Sequence, residues 1–227
     1  MTSSTMVVLF DVDNTLLDND RVTTDLKQHL EKEVGPQREQ LYWAIFEQLR
    51  EELGYVDYLG ALQRYRLRYP RDPHLLTVSR FLVNYPFAER LFPQALEVVH
   101  HVSQWSRAVI LSDGDVVFQP RKIERSGLFE AVQERVLIYI HKEQELEDVE
   151  QRYPADHYVL VDDKVRILSA VKTYWGSRVT TVFPRQGHYA WDPEALRTYP
   201  APDLSVERIA DLLTVDRSTL LAASRAS

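Results

Sequence analysis

Five short runs rich in Val, Ile and Leu recur along the chain with helix-like segments between them: "MVVLFDVD", "RAVILSDG", "RVLIYI", "HYVLVDD" and "RVTTVF". Near-continuous apolarity, in place of in-out alternation, is the pattern of parallel strands covered by helices on both faces. An α/β fold with a parallel sheet follows. About ninety residues separate the first run from the second, several times what a crossover needs, so an insertion is expected there. The interval reads as helix. In "QREQLYWAIFEQLREEL" the positions Leu41, Ala44, Ile45, Leu49 and Leu53 fall on one helical face, and Gly54 is placed to stop it. Breaks at "EVGPQ", "RYPRDPH" and "NYPF" divide the interval into about four helices. The expected organisation is a core domain of residues 1–18 and 86–227 with a separate helical cap domain at 19–85. Near the end, Val206, Ile209 and Leu212 or Leu213 are expected on one side of a closing helix.

The chain of 227 residues is 44% hydrophobic, ordinary for a packed core. A net charge of -7 argues against a nucleic-acid partner, which needs a basic face, and favours small solutes. With no cysteine, disulfides, thiolate nucleophiles and zinc–sulfur sites are excluded. The opening "MTSST" lacks the features of a secretory signal, and no apolar run approaches the ~20 residues of a membrane span. A cytoplasmic protein with no membrane partner is the expectation; nothing in the sequence speaks to oligomeric state.

In an open parallel sheet, ligands bind outside the carboxyl ends of the strands. Asp11 and Asp13 follow the first run, Ser112 and Asp113 the second, Lys142 the third, and Asp162 and Asp163 the fourth. Carboxylates this close repel by about 4 kcal/mol per pair at 4 Å and an effective dielectric near 20. A positive partner is therefore expected, although an acidic turn bonded to its own backbone is the plainer reading of any one of these acids.

Together these residues resemble the haloacid dehalogenase-like (HAD) hydrolase superfamily, with "FDVDNTL", Ser112 in "VILSDGD", Lys142 and "VLVDD" as its four motifs in order. The resemblance implies a Rossmann-like three-layer α/β/α core with a helical cap inserted after the first strand. It implies Asp11 as nucleophile, Asp13 as general acid and base, and Lys142 as charge compensation. Ser112, with backbone N–H groups at Asp113 and Gly114, would hold the phosphate of the substrate. Mg²⁺ would be held by Asp11, the backbone carbonyl of Asp13 and Asp163, with Asp162 reaching it through water. An acid at position 13 is typical of the phosphatases and phosphomutases of the superfamily, whereas the dehalogenases and phosphonate hydrolases generally lack it. Asn14 stands where many relatives have glycine, Ser112 where many have threonine, and Arg166 and Ile167 where a further acid often follows.

The implied function is a Mg²⁺-dependent phosphomonoester hydrolase working through an aspartyl-phosphate on a small phosphorylated metabolite. A phosphomutase with the same motifs is the alternative among enzymes, and a binding or regulatory protein that has lost turnover is the alternative outside them. Lys122 competes with Lys142 for the lysine motif, but Lys142 directly follows the third strand, so Lys122 is read as a solvated helix lysine. Arg64 and Arg68, four residues apart among Arg66, Arg71, Tyr65 and Tyr69, are read as a solvated face before a substrate contact. His188 and Tyr189 are read as surface packing.

Overall fold

The computed structural model describes residues 5–226. Six parallel strands form one sheet in the order β3-β2-β1-β4-β5-β6. They are β1 (Met6–Phe10), β2 (Arg107–Asp113), β3 (Val136–Tyr139), β4 (His157–Val161), β5 (Val179–Pro184) and β6 (Leu204–Val206). The central strand shows why the sequence runs apolar without alternation. Val8 and Phe10 enter one hydrophobic cluster and Val7 and Leu9 the other, so both faces of β1 are covered. Helices α5 (Ala95–Ser103) and α6 (Phe118–Ser126) supply Val98, Val102 and Ile123 to the first face. Helices Leu146–Arg152 and Val165–Trp175 supply Val149, Leu168 and Val171 to the second.

Between β1 and α5 stand four helices: α1 (Asn19–Val34), α2 (Pro36–Leu53), α3 (Tyr58–Arg68) and α4 (Leu75–Asn84). Gly54 ends α2 in the left-handed region at φ 78°, its N–H returning to the Arg50 carbonyl. The buried face of α2 is Tyr42, Phe46 and Leu49, with Glu39. That corrects the expected face: Ala44 and Leu53 are exposed, and of the expected set only Leu49 is fully buried. The two aromatic rings carry the larger apolar area and turn inward, where Phe46 packs on Tyr58 of α3 at 4.9 Å between ring centroids.

The chain leaves and re-enters the core side by side. Asp18 N–H donates to the Arg90 carbonyl at 2.7 Å and Phe92 N–H to the Leu16 carbonyl at 2.9 Å, while Leu17 and Leu91 form an antiparallel bridge. Asp25 of α1 fixes the same junction, accepting from Tyr85 Oη at 2.5 Å and from Arg90 Nη2 at 2.8 Å.

The closing segment differs from expectation. Val206 lies in β6, not on the helix, whereas Ile209 and Leu212 are the buried residues of a short 3-10 helix at Ile209–Thr214; a further helix follows at Arg217–Ala226. The Asp203 carboxylate sets β6 in place by accepting from Thr181 N–H at 2.8 Å and from Lys172 Nζ. Among the described residues no helix is long and apolar enough to cross a membrane.

Candidate active site

β1 runs in register with β4, and the Asp11 N–H continues the ladder to the Val161 carbonyl at 2.9 Å. That pairing places Asp11 beside the acids that follow β4. Asp11, Asp162 and Asp163 are all buried, each offering a carboxylate oxygen within 4.8 Å of the others. Lys142, buried just beyond β3, lies 2.5 Å from Asp11 Oδ1 and 2.6 Å from Asp162 Oδ2, and also reaches the Leu111 carbonyl. One ammonium thus faces two of three carboxylates. Asp162 Oδ1 accepts from Lys164 N–H at 2.8 Å, and Asp163 N–H donates to Thr15 Oγ1.

The electrostatics of the cluster are set by burial against opposing charge. Burial would depress the Lys142 ammonium, but the Asp11 and Asp162 charges hold it well above its usual range. Burial pushes the Asp162 carboxyl up to about 6 and raises Asp163 further. Among the described residues, Asp11 Oδ2 and both side-chain oxygens of Asp163 have no hydrogen-bond partner. Buried carboxylate oxygens without donors are costly. Hard oxygen donors converging on one point are also the donor set that Mg²⁺ or Ca²⁺ accepts. The residues present therefore fit a divalent cation, with Asp11 and Asp163 supplying free oxygens.

The remaining predicted residues surround the same point. Ser112 ends β2, fully buried, its Oγ accepting from Gln119 Nε2 at 2.9 Å. Asp113 Oδ1 accepts from Lys142 N–H at 2.8 Å, which ties the end of β2 to the loop after β3; burial raises its carboxyl against the pull of Lys142. A Cβ on Gly114 would stand 2.6 Å from the Gln119 Cβ, so only glycine allows the turn this approach to α6. Asn14 takes φ 61°, a backbone state that Asn tolerates, and its Oδ1 receives the N–H groups of Asn19 and Asp20 that open α1.

Asp13 reaches the open cleft, with 28% of its side chain exposed, and Asp113 lines the same cleft. The partner of Asp13 is the correction that matters most. Lys122 is buried, its ammonium 2.5 Å from Asp13 Oδ1 and 3.0 Å from Asn19 Oδ1. It is not a solvated helix lysine. It shares the inner face of α6 with Phe118, Ile123 and Ser126, and this i, i+4 spacing from Phe118 was the available signal. Two lysines therefore serve the two aspartates of the first loop, Lys142 for Asp11 and Lys122 for Asp13.

The cleft beside Asp13 has a volume of about 200 Å³ and lies between the strand ends and the inserted helices. Its insertion side comes from Arg50, Tyr55 and Tyr58, and its core side includes Lys164 and Tyr189. Sequence reading passed over Arg50 and Lys164 and placed Tyr189 in surface packing; Arg50 Nη2 donates to Tyr189 Oη at 2.7 Å across the insertion and the core. Arg64 instead pairs with Glu52 at 2.6 Å, and Arg68 is exposed; neither lines the cleft. His188 pairs with Asp20 at 2.6 Å at the start of α1.

A strand-end acid cluster, a buried lysine and a helical insertion after β1 agree with the comparisons to known proteins. The family model of the haloacid dehalogenase-like hydrolases matches residues 5–173, and the chain belongs to that family. A haloacid dehalogenase-like hydrolase structure from Burkholderia xenovorans LB400 is 60% identical, covering 94% of this chain and all of its own, with a TM-score of 0.89. The HAD-hydrolase YfnB from Bacillus subtilis, bound to magnesium, shares the fold at 15% identity and a TM-score of 0.60, over 94% of this chain and 100% of its own. So does an L-2-haloacid dehalogenase from Xanthobacter autotrophicus at 17% identity and a TM-score of 0.57, over 91% and 96%. No curated protein matches the chain.

Proposed function

We propose that the protein is a Mg²⁺-dependent phosphomonoester hydrolase that forms an aspartyl-phosphate on Asp11. The observation that carries this reading is the pairing of two carboxylates with different surroundings: Asp11, buried beside Asp163, and Asp13, open to the cleft. Asp11 attacks phosphorus with a carboxylate oxygen, and the bond from phosphorus to the ester oxygen breaks. Asp13 gives its proton to the departing alkoxide. In the second half Asp13 takes a proton from water, the water oxygen attacks phosphorus, and the bond to Asp11 breaks to release phosphate. Lys142 offsets the charge of the nucleophile, and Ser112 with the Asp113 N–H holds the phosphate oxygens, the expected Gly114 N–H being committed instead to the Tyr139 carbonyl at 3.0 Å. Asp11, the Asp13 carbonyl and Asp163 would hold Mg²⁺, which would supply further neutralisation of the dianion; magnesium in the Bacillus subtilis relative is consistent with that choice.

The likeness to haloacid dehalogenases raises carbon–halogen hydrolysis as a competitor. Halide leaves without a proton, so that chemistry gives Asp13 no work in the first step. Phosphate release from para-nitrophenyl phosphate, with and without EDTA, tests the proposal beside chloride release from 2-chloropropionate. EDTA-sensitive phosphate release supports it. Chloride release without phosphate release replaces it.

A further inference from the structure

We infer that the wall of the cleft formed by Arg50, Lys164 and Tyr189 binds a carboxylate carried by the leaving group, so that the preferred substrate is a small phosphomonoester with a free carboxylate. The inference rests on the phosphatase reading above and names the substrate class of the same site.

Several charged groups of the cleft already have partners. Asp13 is held by Lys122, Asp113 by the Lys142 N–H, and Arg166 by Glu143 at 2.6 Å. Asp115 caps α6, its Oδ1 receiving the N–H groups of Val117 and Phe118. Two cations are left over. Arg50 has only Glu47 at 3.4 Å, a carboxylate 58% exposed, and such surface pairs contribute little. Lys164 forms no ion pair among the described residues, although it feels the field of the acid cluster; its ammonium stands 5.1 Å from the centre of the Tyr189 ring.

Both cations converge on one side chain. Arg50 approaches the Tyr189 hydroxyl from the inserted helices, and Lys164 approaches its ring face from the core. Because Tyr189 Oη accepts from Arg50, its own proton remains to be donated. A guanidinium fork, a phenol O–H and an ammonium are together a carboxylate receptor. The size of the cleft sets the rest of the ligand. At about 200 Å³ it falls below the roughly 300–1,000 Å³ of ordinary ligand pockets, which suits a leaving group of a few carbons.

The test uses the phosphomonoesters of glycolate, 3-hydroxypropionate and 4-hydroxybutyrate, each against its uncharged amide, with para-nitrophenyl phosphate as a third substrate type. Within each pair the alkoxide is nearly the same and only the distal charge changes. The expected result is that, for at least one chain length, kcat/KM favours the carboxylate over the amide by about tenfold or more, because a site built for a charged group rejects the analogue without it. Arg50→Gln should collapse that ratio, and Tyr189→Phe, which keeps the ring, should narrow it; circular dichroism verifies the fold of both. Equal kcat/KM for acid and amide at every chain length, or an unchanged ratio in Arg50→Gln, overturns the inference. Phosphate release from para-nitrophenyl phosphate with no acid preference overturns this inference alone, whereas no phosphate release from any substrate overturns the phosphatase reading and this one with it.

Discussion

Lys122 Nζ stands 2.5 Å from Asp13 Oδ1, with 1% of the lysine side chain reaching solvent. The same ammonium bonds Asn19, the first residue of α1, so one buried charge ties the loop after β1, the start of the insertion and α6 together. A lysine so placed holds Asp13 toward the cleft. Lys122→Met should lower stability by about 1–3 kcal/mol, because it leaves a partly buried carboxylate without its partner. It should also lower kcat/KM for an alkyl phosphate by about tenfold or more, since general acid catalysis depends on the position of the donor. Urea denaturation and phosphate release measure the two effects. A change within about 0.5 kcal/mol and full activity would return Lys122 to an ordinary surface role.

Asp11→Asn keeps the size and polarity of the side chain and removes the nucleophile. Phosphate release from para-nitrophenyl phosphate should fall below about a tenth of wild type, a barrier increase above 1.4 kcal/mol, while the circular dichroism spectrum stays unchanged. Retained turnover would exclude a covalent intermediate on this residue.

The free oxygens of Asp11 and Asp163 give a readout of the cation that does not depend on activity. Mg²⁺ at about a hundred times its dissociation constant should stabilise the fold by roughly 2.7 kcal/mol, visible as a higher unfolding temperature. In Asp163→Asn the shift should be absent or displaced to much higher Mg²⁺ concentration. A wild-type protein whose unfolding temperature ignores Mg²⁺ would contradict the assignment of these acids as ligands.

At the junction of insertion and core, burial alone would raise the Asp25 carboxyl, but hydrogen bonds from Tyr85 and Arg90 and the charges of Arg90 and Arg21 hold it low. A depressed carboxyl contributes stability above its unfolded value, about 3.9, and loses it as pH falls through the lower folded value. Asp25→Asn should therefore cost about 1.5–3 kcal/mol at pH 7, the worth of hydrogen bonds to a charged group. The difference from wild type should shrink below about pH 4. Urea titrations at the two pH values check this; a difference that is constant with pH would mean that packing, not charge, carries the effect.

Much of this arrangement was legible in the sequence because the strands carry it. β1, β2, β4 and β5 are buried on both faces and read as unbroken apolar runs, and the polar residues that follow them fall at the strand ends. β6 was not legible. Its three residues are only partly buried at the sheet edge and lack the pattern that burial imposes, so Val206 looked like the start of a helix. Lys122 was read as solvated because a long amphipathic side chain is normally exposed, whereas here its helical neighbours fixed it inward. The crowded arginines of α3 drew attention away from Arg50. Whether an arginine faces the cleft depends on how α2 and α3 lie against the loop after β5, and that is decided by tertiary packing that no local spacing records.

The paired chain crossings at Leu16–Asp18 and Arg90–Phe92 make the inserted helices a side branch of the molecule, not a link in its main line. Tension applied between the two ends of the chain would pass from the first loop to the second through two backbone hydrogen bonds, leaving the helices unloaded until those bonds part. The helices are also seated on the core, with Tyr58 packed on Phe118 of α6 and Asn19 bonded to Lys122. Sliding along the sheet is opposed, because it would break both backbone bonds at once.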